Sequence, residues 1–190
     1  MRQGRAQLSM AKTMPINLTS LKVRDAGPGD LAALTALSQK TFTDKFGQLY
    51  NPEDLAAFLE ESHGMDAYRG YLTGPENLVR VAEYGDGKLG AYLLCSPLSL
   101  PAEGALPGAV EMKRLYVDTP LQGEGLGSRF VDEALAWARK RNAPEMYLSV
   151  FSENFGAQRL YARYGWEKVG EFIFPVGRHE DLEFLLRLKL

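Results

Sequence analysis

Apolar positions follow two spacings along this chain, and the changes between them mark its elements. Leu21 to Arg24 reads as a short strand, followed by a glycine-proline turn. Leu31, Leu34, Leu37, Phe42 and Phe46 then recur at helical spacing behind Asp30, a residue type that caps helices. Asn51-Pro52 opens a second helix with proline at its start and Leu55, Phe58 and Leu59 on one side. A further short helix is read over Asp66 to Leu72. Asn77 to Tyr84 and Lys88 to Ser96 read as strands joined by a hairpin at Gly85-Asp86-Gly87. Residues 97–108 hold three prolines and two glycines and are expected as a long loop bordering a functional surface.

The second half is organised around residues 110–130. VEMKRLYV, 110–117, is a strand by its β-branched and aromatic content and stops at Asp118-Thr119-Pro120. On that strand Glu111, Lys113, Leu115 and Val117 are expected on one face. From Leu126 onward, Phe130, Val131, Ala134, Leu135 and Ala138 define an amphipathic helix. Met146 to Phe151 is the next strand, parallel to 110–117 through a right-handed crossover. Ser152 to Tyr164 is a helix stopped by Gly165. Trp166 to Phe174 and Asp181 to Leu190 close the sheet as two antiparallel strands. The expected class is α/β with a mixed sheet, in one domain over 19–190 behind a loose extension at 1–18.

Composition narrows the class without naming a chemistry. The 190 residues are 45% hydrophobic and 24% charged, an ordinary globular balance. A net charge of −2 argues against a nucleic-acid binder that works by neutralising phosphates. No apolar run approaches the roughly 20 residues that span a bilayer, so no membrane partner is expected. The single cysteine, Cys95, excludes an internal disulfide, fits a reducing compartment and reads as a small core residue; the expected location is cytoplasmic. His63 and His179 have no metal-ligand spacing and are expected at the surface, so no metal is expected.

Chemistry enters with QGEGLG, Gln122 to Gly127. Three glycines where a strand becomes a helix leave backbone N–H groups free to converge on one anion, and the helix dipole adds positive character there. A phosphate or pyrophosphate suits that place; a plain turn is the competing reading. A P-loop would need Lys and then Ser or Thr after the last glycine, and Ser128-Arg129 follows instead. A dinucleotide fingerprint would need repeated βαβ units, of which the chain offers one.

Gln122, Gly123, Glu124, Gly125, Leu126 and Gly127, after LYVD, resemble the Q/R-x-x-G-x-G/A motif of the GNAT superfamily of N-acetyltransferases. Asn154, Ala157, Leu160 and Tyr161 match that superfamily's N-x-x-A-x-x-L-Y motif. The resemblance spans roughly residues 20–190 and implies a mixed sheet of about seven strands with helices on both faces. It further implies acetyl-CoA as cosubstrate in a cleft where the strands at 110–117 and 146–151 splay apart. By the same resemblance, Leu115, Tyr116, Val117, residues 122–127, Ser128, Asn154, Ala157 and Tyr161 would hold the cofactor. Tyr161 would also protonate the departing thiolate. Glu111 would serve as base, or else sit as a strand-end glutamate in solvent or paired to Lys113. Glu124 departs from the basic or polar residue common in that slot, and Arg129 one turn on is a compensating cation.

The acceptor implied is a primary amine. Phe42, Phe46 and Tyr50, with the carboxylates Glu53, Asp54, Glu60, Glu61, Glu180 and Asp181, would suit a cationic one. TFTDKFGQLYNPEDLAAFLE and GRHEDLEFLLRLKL are also similar to bacterial spermidine/spermine N-acetyltransferases of the PaiA type, which implies a polyamine or diamine. A protein N-terminus or lysine is the alternative acceptor, and a non-catalytic acyl-CoA binder the alternative function. A homodimer is common in the superfamily and is carried here by resemblance alone.

Overall fold

A computed structural model describes residues 21–190; the extension expected at 1–18 lies outside the described residues. Seven strands form one sheet. In chain order they are β1 (Lys22–Asp25), β2 (Leu78–Glu83), β3 (Leu89–Pro97), β4 (Val110–Val117), β5 (Glu145–Phe151), β6 (Glu167–Val176) and β7 (His179–Lys189). The helices are α1 (Leu31–Phe46), α2 (Pro52–His63), α3 (Met65–Thr73), α4 (Leu126–Lys140) and α5 (Phe155–Arg163). The strand order is β1-β2-β3-β4-β5-β7-β6, with every pairing antiparallel except β4 with β5.

The two faces of the sheet have different covers. Phe130, Val131, Ala134, Leu135 and Ala138 of α4 pack with Leu93, Met112, Met146 and Leu148, joined by Tyr161 of α5. On the opposite face, Leu34 and Leu37 of α1 and Tyr68 of α3 meet Val79, Val81, Tyr92 and Leu94. Burial of these side chains, each contributing about 1.5–3 kcal/mol, holds the helices to the sheet.

A local signal sets the start of α2 but not that of α1. Asn51 accepts a hydrogen bond from the Glu53 N–H at 2.9 Å and caps α2. Asp30 stands before α1, but its carboxylate turns back to the Gly27 N–H and to Arg24, each 2.8 Å away. The final strands extend beyond their expected ends to meet in a tight turn at Gly177-Arg178, where Gly177 has φ +58. A Cβ there would sit 2.3 Å from that of Asp54, so the glycine lets α2 dock against the turn.

Two irregularities of β4 shape the centre of the sheet. β4 and β5 pair only at Val110–Met146 and Glu111–Tyr147, and then diverge. The backbone edge of β4 that faces β5 is therefore left without a partner strand beyond Glu111. Against β3, Leu94 faces Arg114 while Cys95 faces Met112, which leaves Lys113 as an extra residue. This bulge overturns the expected sharing of one face. Leu115 and Val117 pack on the α4 side, whereas Arg114 and Tyr116 point to the α1 and α3 side.

Candidate active site

The divergence of β4 and β5 opens a cleft of about 790 Å³ through the sheet. At one end lies the glycine loop. Gly123 and Gly125 have φ of +86 and +80, and Gly125 is the N-cap of α4. No side chain caps this helix, and its first turn carries no acidic residue. Its leading N–H groups and the positive end of its dipole therefore remain available to an anion. Gln122 donates from Nε2 to the Val117 carbonyl at 3.0 Å, tying the loop to the end of β4.

Leu115, Tyr116, Val117, Gln122, Gly123, Gly125, Leu126, Gly127, Asn154, Ala157 and Tyr161 all line this cleft. Glu124 and Ser128 do not. Glu124 is exposed, where solvent screens its charge. Ser128 sits in the first turn of α4, where its carbonyl accepts from the Tyr164 hydroxyl at 3.0 Å. Arg129 is directed along the helix to Glu133, at 3.3 Å. Positive charge comes instead from Lys45, Arg159 and Arg163, exposed cations bordering the cleft. The spacing of Arg159 and Arg163 by four residues, beside Tyr161, was a readable signal for the last two.

Asn154 caps α5, its Oδ1 accepting from the Ala157 N–H at 3.4 Å, and lines the cleft as well. Tyr161 is 7% exposed, and its ring lies 6.1 Å from that of Trp166. Burial holds its phenol well above the ordinary range, with the charge of Glu183 adding to the effect. It is a neutral hydroxyl across the working pH range and can only donate as such.

Glu111 is fully buried and its oxygens are committed. Oε2 accepts from the N–H groups of Ser99 and Leu100 at 2.8 and 3.0 Å. Oε1 accepts from the Ser99 and Ser96 hydroxyls at 2.9 and 3.2 Å and from Lys113. This carboxylate fastens the 97–108 loop, whose Leu100 borders the cleft. Glu111 borders the cleft as well, but five donors occupy its two oxygens, so the geometry favours pairing to Lys113 over action as a base. Glu111→Gln is expected to lower stability by about 1–3 kcal/mol, since backbone N–H groups lose their anionic acceptor. Denaturant unfolding would measure it.

At the far end the cleft is walled by aromatic rings. Phe42 lies 5.9 Å from Tyr50, 5.0 Å from Phe58 and 5.2 Å from Phe46. Phe174 and Tyr116 complete the wall. Tyr50 donates its hydroxyl to Asp181 Oδ2, and His179 Nδ1 lies 3.0 Å from Oδ1. Of the carboxylates expected to meet an acceptor, Asp181 reaches this cleft; Glu53, Glu60, Glu61 and Glu180 are exposed, and Asp54 pairs with Arg178 at 3.0 Å. Sequence reasoning missed Glu183, two residues along β7 from Asp181 and on the same face of the strand. Burial pushes its carboxyl up to about 7, with the Ser149 hydroxyl pulling down and Asp181 adding to the rise.

His63, expected at the surface, is 2% exposed and lines the cleft. Its Nδ1 meets the Ser38 hydroxyl, which also contacts Tyr68 and Tyr92, and its ring lies 4.8 Å from Phe42. Burial, helped by the charge of Arg114, lowers its pKa from 6.5 to about 2. The unfolded chain then binds a proton that the folded one refuses. Stability from this group is complete above pH 6.5 and falls below it, by about 1.4 kcal/mol per pH unit. Between pH 7.5 and 5.5 the raised carboxyl of Glu183 works in the opposite sense, since it takes up a proton on folding, so the His63 contribution is read as the difference between wild type and His63→Gln in urea unfolding. The variant is expected to lose this dependence, by about one proton's worth below pH 6.5.

Among the described residues no group of three His, Cys, Asp or Glu is placed to hold a metal ion, and no helix is long and apolar enough to cross a membrane.

Comparison with known proteins places this geometry. A PaiA N-acetyltransferase from Thermoplasma acidophilum, solved in complex with coenzyme A, superposes with a TM-score of 0.70 at 16% identity, covering 90% of this chain and 99% of that one. An uncharacterized N-acetyltransferase of the pepI 3′ region of Lactobacillus delbrueckii subsp. lactis is 29% identical over 173 residues, covering 91% of this chain and 99% of its own. The spermine/spermidine N(1)-acetyltransferase of Bacillus subtilis is 30% identical over 95 residues, half of this chain and 62% of its own. The sequence model of the acetyltransferase (GNAT) family matches residues 36–166. By that match, and with a seven-stranded sheet split between β4 and β5, this chain belongs to the GNAT family of acetyltransferases.

Proposed function

We propose that this acetyltransferase moves acetyl from acetyl-CoA directly to a primary amine of a small cationic substrate, of the diamine or polyamine class. One observation carries the reading: a single cleft joins an uncapped, glycine-framed helix start to an aromatic pocket holding the carboxylates of Asp181 and Glu183. The likeness to the Bacillus subtilis spermine/spermidine enzyme supports the same acceptor class.

The residues present fit acetyl-CoA. The N–H groups at the start of α4 suit its pyrophosphate, and Lys45, Arg159 and Arg163 suit its remaining phosphate charge. The unpartnered edge of β4 at Leu115, Tyr116 and Val117 offers backbone donors and acceptors to the amides of the pantetheine arm. When bound, the cofactor supplies an acyl thioester. A backbone N–H near Leu115 would receive the carbonyl oxygen, and Tyr161 would give a proton to sulfur. At the other end Phe42, Phe46 and Tyr50 present ring faces to a cation, and Asp181 supplies opposite charge. In this reading Glu111 holds the 97–108 loop and does not meet the amine.

Thiol release from acetyl-CoA tests the proposal against spermidine, spermine, a short diamine, an aminoglycoside and short peptides. Release with the polyamines and diamine is expected. Release with peptides alone would move the acceptor to protein amines, and silence across the panel with coenzyme A still bound would make the chain a binding module.

A further inference from the structure

Glu183 differs from the other acidic groups in the cleft in what surrounds it. Among the described residues no backbone N–H, lysine or arginine donates to its carboxylate, in contrast to the five donors on Glu111. Its register neighbours are Phe151 on β5 and Phe172 on β6, so hydrocarbon flanks it on both sides. It is partly buried, with the cleft as its opening to solvent. The polar groups that face it are few. Ser149 lies beside it on β5, Asp181 two residues earlier on β7, Tyr116 across the split on β4, Tyr161 on α5 and Tyr50 ahead of α2. The three phenols are all held protonated by burial, so each faces Glu183 as a neutral group.

The remaining groups in the cleft do not suit a base. Asp181 takes the Tyr50 hydroxyl on one oxygen, and its other, which forms no hydrogen bond, lies 3.0 Å from His179 Nδ1 at the aromatic end, where the carboxylate is the counter-charge to the acceptor. His63 binds a proton too weakly, and its Nδ1 is taken by Ser38. A free carboxylate in the split, coupled in charge to Tyr161 on one side and to the aromatic pocket on the other, is left. Resting on the acetyltransferase reading above, we propose that Glu183 is the catalytic base, taking a proton from the acceptor's ammonium group within the cleft.

The protons balance as follows. An amine with a pKa of about 10 reaches the cleft as ammonium and must shed two protons to become an amide. As the nitrogen–carbon bond forms and the carbon–sulfur bond breaks, one proton passes to a Glu183 oxygen and then to water. The other replaces the proton that Tyr161 gives to sulfur. One proton is released per turnover. A carboxyl shifted toward neutrality accepts that proton far better than one of ordinary acidity.

The assignment is tested in the full chain by two readouts. Carbon-13 NMR titration of labelled glutamate in the cofactor-free protein, assigned with Glu183→Gln, reads the carboxyl without any reaction. It is expected to titrate near 7. In parallel, kcat/KM for the acceptor is followed from pH 5.5 to 9 in wild type and Glu183→Gln, with coenzyme A affinity by calorimetry. The wild-type rate should rise through pH 7. The variant should lose that limb and fall by about 100-fold at pH 8, with the deficit shrinking below pH 7 and coenzyme A affinity kept within a few-fold. Titration of Glu183 in the ordinary carboxylate range, or a variant that keeps both rate and profile, overturns the proposal while leaving the acetyltransferase reading intact. Failure of the wild type to bind coenzyme A overturns both.

Discussion

Gly125→Val is expected to weaken coenzyme A binding by at least 100-fold while leaving the fold in place. A Cβ at position 125 meets no protein atom within 4 Å, so there is space for a side chain. The backbone is the obstacle, because φ is +80 and a β-branched residue pays about 1–2 kcal/mol or more there. A domain with a normal reserve of about 5–15 kcal/mol survives that. The anion does not, because the open space a Cβ would fill is where it must approach the first N–H groups of α4. Losing a few kcal/mol of such contacts amounts to two decades or more in affinity. Calorimetry on a variant with a normal circular dichroism spectrum would measure it; unchanged affinity would make the loop a turn and no more.

Tyr161→Phe carries the second large effect. Among the described residues the Tyr161 hydroxyl has no hydrogen-bond partner, so its loss removes little from the folded state. The ring that packs on Trp166 stays. The expected result is a kcat lower by about 10- to 1000-fold with a nearly constant melting temperature and coenzyme A affinity. That split separates a proton donor from a core aromatic, which would move stability and leave turnover alone. Burial also keeps the phenol protonated well beyond neutral pH, so the alkaline side of the wild-type profile should owe nothing to this residue.

How much of this was legible in the sequence depended on how local each signal is. The glycine loop, the helix start at Asn51-Pro52 and the N-x-x-A-x-x-L-Y helix are set by neighbours within a few residues, and they stand within a turn of where the sequence puts them. The face assignment on β4 failed because the bulge at Lys113 exists only relative to β3, and no residue type announces it. Glu111 was visible as a candidate, but its five donors arrive from Ser96 on β3, from Ser99 and Leu100 in the loop after it, and from Lys113. His63 read as a surface residue because its burial comes from α1 and β4, through Ser38, Phe42 and Tyr116. Glu183 was hidden by its company. In HEDLEF the period-two pattern marks a strand with an acidic face, and β7 had to insert between β5 and β6 before that face became the floor of a cleft.

The site combines two environments that favour opposite forms of their acids. Tyr161 stays protonated and can give; Glu183 loses its proton near neutrality and can take. Both follow from burial, tempered in the second case by Ser149 and by an opening to the cleft. The aromatic pocket and Asp181 lie on the Glu183 side of the split and the glycine loop on the Tyr161 side, so an acceptor and a cofactor would meet between them.

The central claim is direct transfer between two substrates held in that one cleft. Its most direct test is incubation of the chain with acetyl-labelled acetyl-CoA and spermidine, following the label by mass spectrometry in both the amine and the protein. The expected result is label in the amine, with none accumulating on the protein when spermidine is left out. Label appearing on the protein and then chasing into spermidine would contradict direct transfer, and label in neither would contradict the assignment of acceptor and reaction together.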